Sequence, residues 1–376
     1  MKSGSRSDVL TRAAAALTMS VGLAIALAAG GQQSQPSSAA ASGGRAPRNP
    51  SEYDEMFHKI KNWGRWGPSD QRGAANLMTD AKRKQAVGLV RLGTSVSMSH
   101  DYLKDKAPDN PSPFEHVMNR GLQSDTYRVS YHGYAHSHMD GLCHMLYQDR
   151  TYNGYARAEA LTESGCTRLG IENLKNGIIT RGILIDIPRL KGVPYLEPST
   201  PVYVEDLEAW EKKAGVKVGP GDAVFLYTGR WARREKLGPW ELMRNAAGFH
   251  ASVAPWVRAR DIAFIGSDAV LDVYPELVLD ANGRDQANAF HILMIAALGV
   301  DIFDNLDDPL SILRQPGVVH ATRCVFRAVV VLMSRMSEKQ IRHFLEGETR
   351  KIAARSDEVR TGNQHFRTRS FLNDGG

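Results

Sequence analysis

Cysteine is scarce, with 3 in 376 residues, too few to staple a chain of this length into a disulfide scaffold. They allow at most one disulfide and an odd thiol, and the sequence does not choose the pair. Glycine follows no repeat, which excludes a collagen-like chain. Mean hydropathy is −0.34 and no second long apolar run follows the N-terminal one, which excludes a multi-span membrane protein. There is no G-x-S-x-G elbow, no phosphate-binding P-loop and no convincing dinucleotide fingerprint. A charge of one sign is lacking too. The formal net charge is +6, but residues 1–30 hold +2 and residues 335–376 hold +3, leaving +1 for the body. A near-neutral body has no electrostatic footprint for a phosphate backbone, so nucleic acid is not an expected partner. What is present is ordinary for a globular protein, 42% apolar and 23% charged residues.

The N-terminal segment, residues 1–30, reads as a signal peptide. Lys2, Arg6 and Arg12 precede the apolar stretch Ala13–Ala29, and Ala26-Leu27-Ala28 offers a cleavage site. The stretch is short and Ala-rich, so a permanent membrane span is the weaker reading. The expectation is export, to the periplasm or outside. Residues 31–55 read as a flexible linker, with Ser, Ala, Gly, Gln and Pro dense over Gln32–Pro50.

From there short apolar runs alternate with helical patterns, which predicts a single α/β domain over residues 56–335. Ile178–Ile187 reads as a buried strand. Leu207, Trp210 and Ala214 predict a helix over Glu205–Ala214, stopped by Gly215 in the left-handed conformation. Gly219–Asp222 is a turn before a strand at Ala223–Thr228. Ala251–Ala259 is a candidate helix, Ile262–Gly266 a strand, Ala289–Leu298 a helix stopped by Gly299, and Val300–Phe303 a strand. Cys324–Met333 is apolar enough for a strand. Ser337–Gln340 is a capping box opening an atypical C-terminal helix and tail, residues 336–376.

The chemistry concentrates in His132-Gly-Tyr-Ala-His136-Ser-His138-Met-Asp140-Gly-Leu-Cys-His144, four of the chain's 12 histidines within 13 residues. On an extended segment alternate residues share a face, so His136, His138, Asp140 and His144 could point together. Imidazole and carboxylate are the usual ligands of zinc or manganese, and His-x-Asp makes a two-ligand clip. A further histidine can stay uncoordinated and act as a base. Two other readings stand beside this one. The histidines could bond backbone groups in the core or at the surface. Cys143 could be a redox or nucleophilic residue, although its parity on an extended chain points away from Asp140.

The segment resembles the H-x-G-T-H-x-D-x-P-x-H signature of the metal-dependent cyclase family, which includes bacterial kynurenine formamidase and isatin hydrolase. His138, Asp140 and His144 match it. Ser137 stands for Thr, Tyr134 for the first histidine, His136 for glycine and Leu142 for proline. Asn62–Leu77 resembles the opening of the longer members, Gly221–Arg230 the G-D-x-V-L-x-x-T-G strand, and Ile265–Asp268 the later G-x-D strand end. His291–Asn305 resembles the helix and strand that carry a histidine and, normally, a glutamate. The family's usual GTGSP-like C-terminal segment has no counterpart.

The resemblance implies a swivelling β/β/α layered fold, commonly a homo-oligomer, here a dimer or tetramer. It implies that His138 and Asp140 bind metal, that His291 and Asp304 complete the metal site, and that His144 is the general acid/base. With Tyr134 in place of a ligand, a single Zn²⁺ or Mn²⁺ on His138, Asp140, His291 and Asp304 is expected, with His136 in reserve; His132 is another possible shifted ligand, and two ions per chain remain open. Trp63, Trp66 and Tyr134 are candidates to contact a small-molecule substrate, although burial in the core is the commoner use of the two Trp rings. The implied reaction is hydrolysis of a C–N amide bond other than a peptide bond, as in N-formylkynurenine. The alternatives are another small amide, lactam or lactone, or a non-catalytic exported binding protein that keeps the fold.

Overall fold

The computed structural model describes residues 47–307, apart from 91–92, 94–95, 122, 133, 277 and 279–285, together with short strands at 325–326 and 329–330. The signal segment, most of the linker and the C-terminal helix lie outside the described residues.

A mixed six-stranded sheet forms the centre. In chain order its strands are β1 (His138–Asp140), β2 (Gly182–Asp186), β3 (Ala223–Tyr227), β4 (Phe264–Ser267), β5 (Asp301–Asp304) and β6 (Val325–Phe326). In space they run β6-β2-β3-β4-β5-β1. Strands β2 to β5 are parallel neighbours, while β6 and β1 pair antiparallel at the two edges. All residues of β2, β3, β4 and β5 are buried, as expected for parallel strands covered on both faces. Alternation sorts their side chains. Ile183, Ile185, Val224, Leu226, Ile265 and Ile302 enter the larger core. Leu184, Phe225, Phe264 and Phe303 enter a second core on the other face.

The helices follow from the sequence pattern, with some differences. Helix α1 (Pro50–Ile60) starts inside the segment predicted as linker. Asn49 caps it by accepting the Glu52 N–H at 3.0 Å, Pro50 opens it, and Tyr53, Phe57 and Ile60 are buried at helical spacing. That periodicity extends the ordered domain back into the predicted linker. Helix α2 (Val204–Ala214) ends at Gly215, whose φ of 63° is left-handed as predicted. The helix predicted at Ala251–Ala259 is a 3₁₀ turn, Ala251–Val253, leading into α3 (Ala254–Arg260). The one predicted at Ala289–Leu298 is α4 (Ala289–Ile292) continuing as a π-helical stretch, Leu293–Leu298, with Gly299 at φ 68° as the stop. The strand predicted at Ile178–Ile187 is broken, because Thr180 and Arg181 turn away to bond the Gly221 carbonyl and the Asp222 carboxylate. Among the described residues no helix is long and apolar enough to cross a membrane.

His250, just before α3, gives this fold a measurable pH dependence. It is 2% exposed, and its Nδ1 accepts the Ser252 N–H at 3.2 Å. Burial pushes its pKa down to about 4. The unfolded chain takes up this proton below about pH 6.5, the folded chain only near pH 4, so the contribution is complete above 6.5 and disappears as pH falls between the two. At about 1.4 kcal/mol per unit this amounts to about 3 kcal/mol. His250→Asn keeps a cap acceptor and should flatten that limb, measured by urea unfolding of both proteins at pH 7 and pH 4.5. Equal pH dependence in the two would refute the assignment.

Candidate metal centre

The antiparallel pairing of β1 with β5 sets the site. His138 lies opposite Asp304 and Asp140 opposite Ile302, so His138, Asp140 and Asp304 share one face. His291 comes from α4 over the same face. The first backbone N–H groups of α4 are held by two buried carboxylates. Asp272 accepts from Phe290 N at 2.8 Å and His291 N at 3.1 Å, and Glu276 accepts from Ala289 N at 2.7 Å. Carboxylates at a helix N-terminus are well placed electrostatically. Asp272 also holds the Nδ1 of the His291 ring.

Two sets of ligand atoms result, and they share Asp140: His132, His138 and Asp140, and Asp140, His291 and Asp304. His132 Nδ1 lies 3.5 Å and His138 Nε2 3.3 Å from Asp140 Oδ1. His291 Nε2 lies 3.2 Å from Asp304 Oδ2 and 3.7 Å from Asp140 Oδ2. The four predicted ligands are therefore together, but divided between two sets. His144 Nε2 is 3.7 Å from Asp140 Oδ2, and its ring stacks on His132 at 4.2 Å.

The donor chemistry fits a cation. His138 Nδ1 is 2.8 Å from the His136 carbonyl and must donate to it, which leaves Nε2 aimed at Asp140. Asp272 fixes His291 in the same sense, with Nε2 aimed at Asp304 and Asp140. Asp140 Oδ1 and Asp304 Oδ1 are buried without a hydrogen bond of acceptable geometry. Bare imidazole nitrogens facing bare carboxylate oxygens call for positive charge between them, a proton or a metal. The titration behaviour agrees. Burial pushes the His291 pKa down, but Asp272 and Asp304 outweigh it and the net shift is well upward. Burial likewise opposes protonation of His138, and the Asp140 and Asp304 carboxylates together with the His136 carbonyl outweigh it, for a net upward shift. For Asp140 burial pushes upward, but His138, His144 and His291 win and hold it at about 2. His144 goes down instead, to about 4, because burial, helped by the neighbouring imidazoles, outweighs the opposing charge of Asp140.

Other predicted site residues sit elsewhere. His136 belongs to neither set. It is fully buried, edge-on to Tyr102 at 5.0 Å between ring centres. The alternation that would have aligned it fails because residues 134–136 form a bend and the extended strand starts only at His138. Trp63 and Trp66 pack on the core: Trp63 donates to the Ala296 carbonyl at 2.7 Å and meets Phe57 edge-on, and Trp66 lies under Arg65. Tyr134 does border open space, a cleft of ≈ 390 Å³ lined also by Lys106, Pro108, Pro111, Leu242 and Met243. Cys143 is bonded to Cys166, so it is no free nucleophile.

The matched strand ends play supporting parts. Asp268 accepts from Thr228, Gly229 and Arg230, which fixes the turn after β3, and burial raises its pKa to about 6 against those bonds. Arg230, 3% exposed, donates to the Tyr134 carbonyl at 2.6 Å and to the Asn305 side chain, tying the chain before β1 to the end of β5. Ser137 Oγ adds a second tie, to the Asn305 carbonyl at 2.6 Å. His132, the alternative shifted ligand, is the one that reaches Asp140, while Asp272 and Glu276 escape sequence reasoning. Both carboxylates lie in Leu271–Glu276, which carries no recognisable spacing, and only the tertiary fold brings them under α4.

A mixed α/β sheet carries, at its antiparallel edge, a buried cluster of imidazoles and carboxylates that could hold a metal ion. Residues 65–271, just over half of the chain, match the Cyclase family, described as “Putative cyclase”, and the chain belongs to that family. A solved structure described as a novel cyclase is 28% identical, covering 69% of this chain and 88% of its own, with a TM-score of 0.58. Isatin hydrolase A from Labrenzia aggregata is 15% identical over 60% of this chain and 86% of its own, at a TM-score of 0.39. A structure described as a potential metal-dependent hydrolase with cyclase activity is 16% identical, over 56% and 80%, at 0.34. A comparison with curated proteins gave no match.

Proposed function

We propose that the protein is a metal-dependent hydrolase of a small amide, cleaving a C–N bond other than a peptide bond, with N-formylkynurenine as the first candidate substrate. The observation that carries this reading is His144, a member of neither potential metal set, 3.7 Å from the carboxylate that the two sets share. His138, Asp140, His291 and Asp304, joined by His132, would hold Zn²⁺ or Mn²⁺. A bound ion supplies Lewis acidity, polarising the scissile carbonyl and easing the ionisation of water to near pH 7.

The chain's own residues do the rest. Asp140 stays a carboxylate at neutral pH, the form that binds a cation. Asp272 and the His136 carbonyl lock the His291 and His138 rings with Nε2 inward. His144 is neutral above about pH 4, so its free nitrogen can take the proton of attacking water. It then returns that proton to the leaving amine. The swivelling layer arrangement and export belong to the same proposal. A disulfide next to the site supports export, because such bonds persist in oxidising compartments.

Metal analysis of the purified protein, with a hydrolysis panel of N-formylkynurenine, isatin and small lactones under added Zn²⁺ or Mn²⁺, tests the reading. Bound metal and turnover of N-formylkynurenine are expected. Turnover of only a cyclic amide or lactone moves the substrate class. Metal without any turnover favours a binding protein, and no metal at all refutes the centre.

A further inference from the structure

Cys143 immediately precedes His144. After β1 ends at Asp140 the chain makes a tight turn, with His144 N–H donating to the Gly141 carbonyl at 3.0 Å. Leu142 and Cys143 are buried, and Cys143 is bonded to Cys166, 23 residues on, with their Cα atoms 6.3 Å apart. Cys166 ends a small hairpin in which Leu161–Thr162 pairs with Gly165–Cys166.

Nothing comparably firm holds the His144 ring itself. Among the described residues no hydrogen bond reaches it. Its Nε2 lies 3.7 Å from Asp140 Oδ2, and the ring stacks on His132, whose own side chain is 56% exposed. The position of the ring is therefore set by the backbone beside it, and that backbone has a covalent anchor one residue away.

The segment between the two cysteines has ties of its own. Tyr147 and Arg150 exchange two backbone bonds, Thr151 N donates to the Tyr155 carbonyl, and Arg157 N to the Asp149 carbonyl. Opening the disulfide would thus loosen the turn at His144 without unfolding the segment. Cys166 is exposed, so a reductant can reach the bond.

We infer that the Cys143–Cys166 disulfide is a positioning element for His144, so that turnover depends on its being oxidised. This rests on the hydrolase reading above. An external dithiol such as dithiothreitol supplies two electrons and two protons, leaves as its cyclic disulfide, and returns Cys143 and Cys166 as two thiols.

The test compares metal-loaded wild type, the same protein after dithiothreitol treatment, its reoxidised form, Cys166→Ser, and Cys324→Ser as a control. Mass spectrometry counts the thiols, and circular dichroism and metal content verify that the fold persists. A misplaced base should cost about 10- to 100-fold in kcat with KM nearly unchanged. Reoxidation should restore kcat, and Cys324→Ser should behave as wild type. Independently of turnover, diethyl pyrocarbonate labelling of His144, mapped by mass spectrometry, should rise at least threefold (a readout chosen to report ring exposure) on reduction. Unchanged kcat and unchanged labelling in fully reduced, folded protein overturn the inference. If oxidised wild type hydrolyses nothing on the panel, the hydrolase reading fails by itself, and the labelling alone decides whether the disulfide holds His144 in place.

Discussion

His144→Ala is expected to lower kcat by about 10²- to 10⁴-fold, the usual worth of a positioned general base, while metal content stays at the wild-type level. The two halves of this expectation come from different observations. His144 belongs to neither ligand set, so its loss removes no donor. It also combines a pKa of about 4 with partial access to solvent, 29% of its side chain being exposed. His138 and His291 belong to the ligand sets, so their Nε2 atoms are committed to the cation and are not free to act as bases. The sign of the pH dependence follows. Burial lowers the His144 pKa, so its neutral form survives below the ordinary histidine range. Turnover limited by this base is retained through pH 6 and lost as pH falls toward 4. Steady-state kinetics from pH 4 to 8 on a substrate from the panel, with metal analysis of each protein, checks both points. A variant that keeps wild-type kcat would remove His144 from the mechanism, and one that loses its metal would make it a ligand.

Much of this centre was legible in the sequence because the spacing rule and the strand coincide. His138 and Asp140 are two apart on a true strand, and they do share a face. Applied two residues further back, the same rule fails. The chain bends over residues 134–136, with Tyr134 in a left-handed backbone, and here His136 lies in the core while His132 reaches Asp140. A one-dimensional pattern cannot register a bend whose cause is tertiary, here the buried Arg230 holding the Tyr134 carbonyl. The strands β3, β4 and β5 were readable because apolar runs bounded by turn signals are strong local features. Asp272 and Glu276 were not, because a carboxylate that caps a helix 13 to 19 residues away leaves no local trace. The aromatic residues illustrate a third limit. Composition says that a tryptophan is large and apolar, and only the fold says that Trp63 meets Phe57 and Ala296.

The second large effect is expected at Asp140, the single residue common to both ligand sets. Replacing a group that only hydrogen-bonds a ligand typically costs about 10- to 100-fold in metal affinity, so Asp140→Asn, which removes a ligand's charge, should cost at least about 100-fold and abolish turnover. His132→Ala is the informative contrast. Its side chain is 56% exposed and it serves only the outer set, whereas Asp140, His291 and Asp304 are all buried. An outer ion should therefore bind weakly and depend on His132, and an inner ion should bind firmly without it. Titration of chelator-stripped protein with Zn²⁺ or Mn²⁺ separates the cases. The expected result is two classes of site in wild type, loss of only the weaker class in His132→Ala, and loss of both in Asp140→Asn. One equivalent in wild type, unchanged in His132→Ala, would mean that a single ion is held by the buried residues alone and that His132 merely stacks on His144. Retention of a firmly bound ion in Asp140→Asn would separate the two sets and refute the shared carboxylate as the organising ligand of the centre.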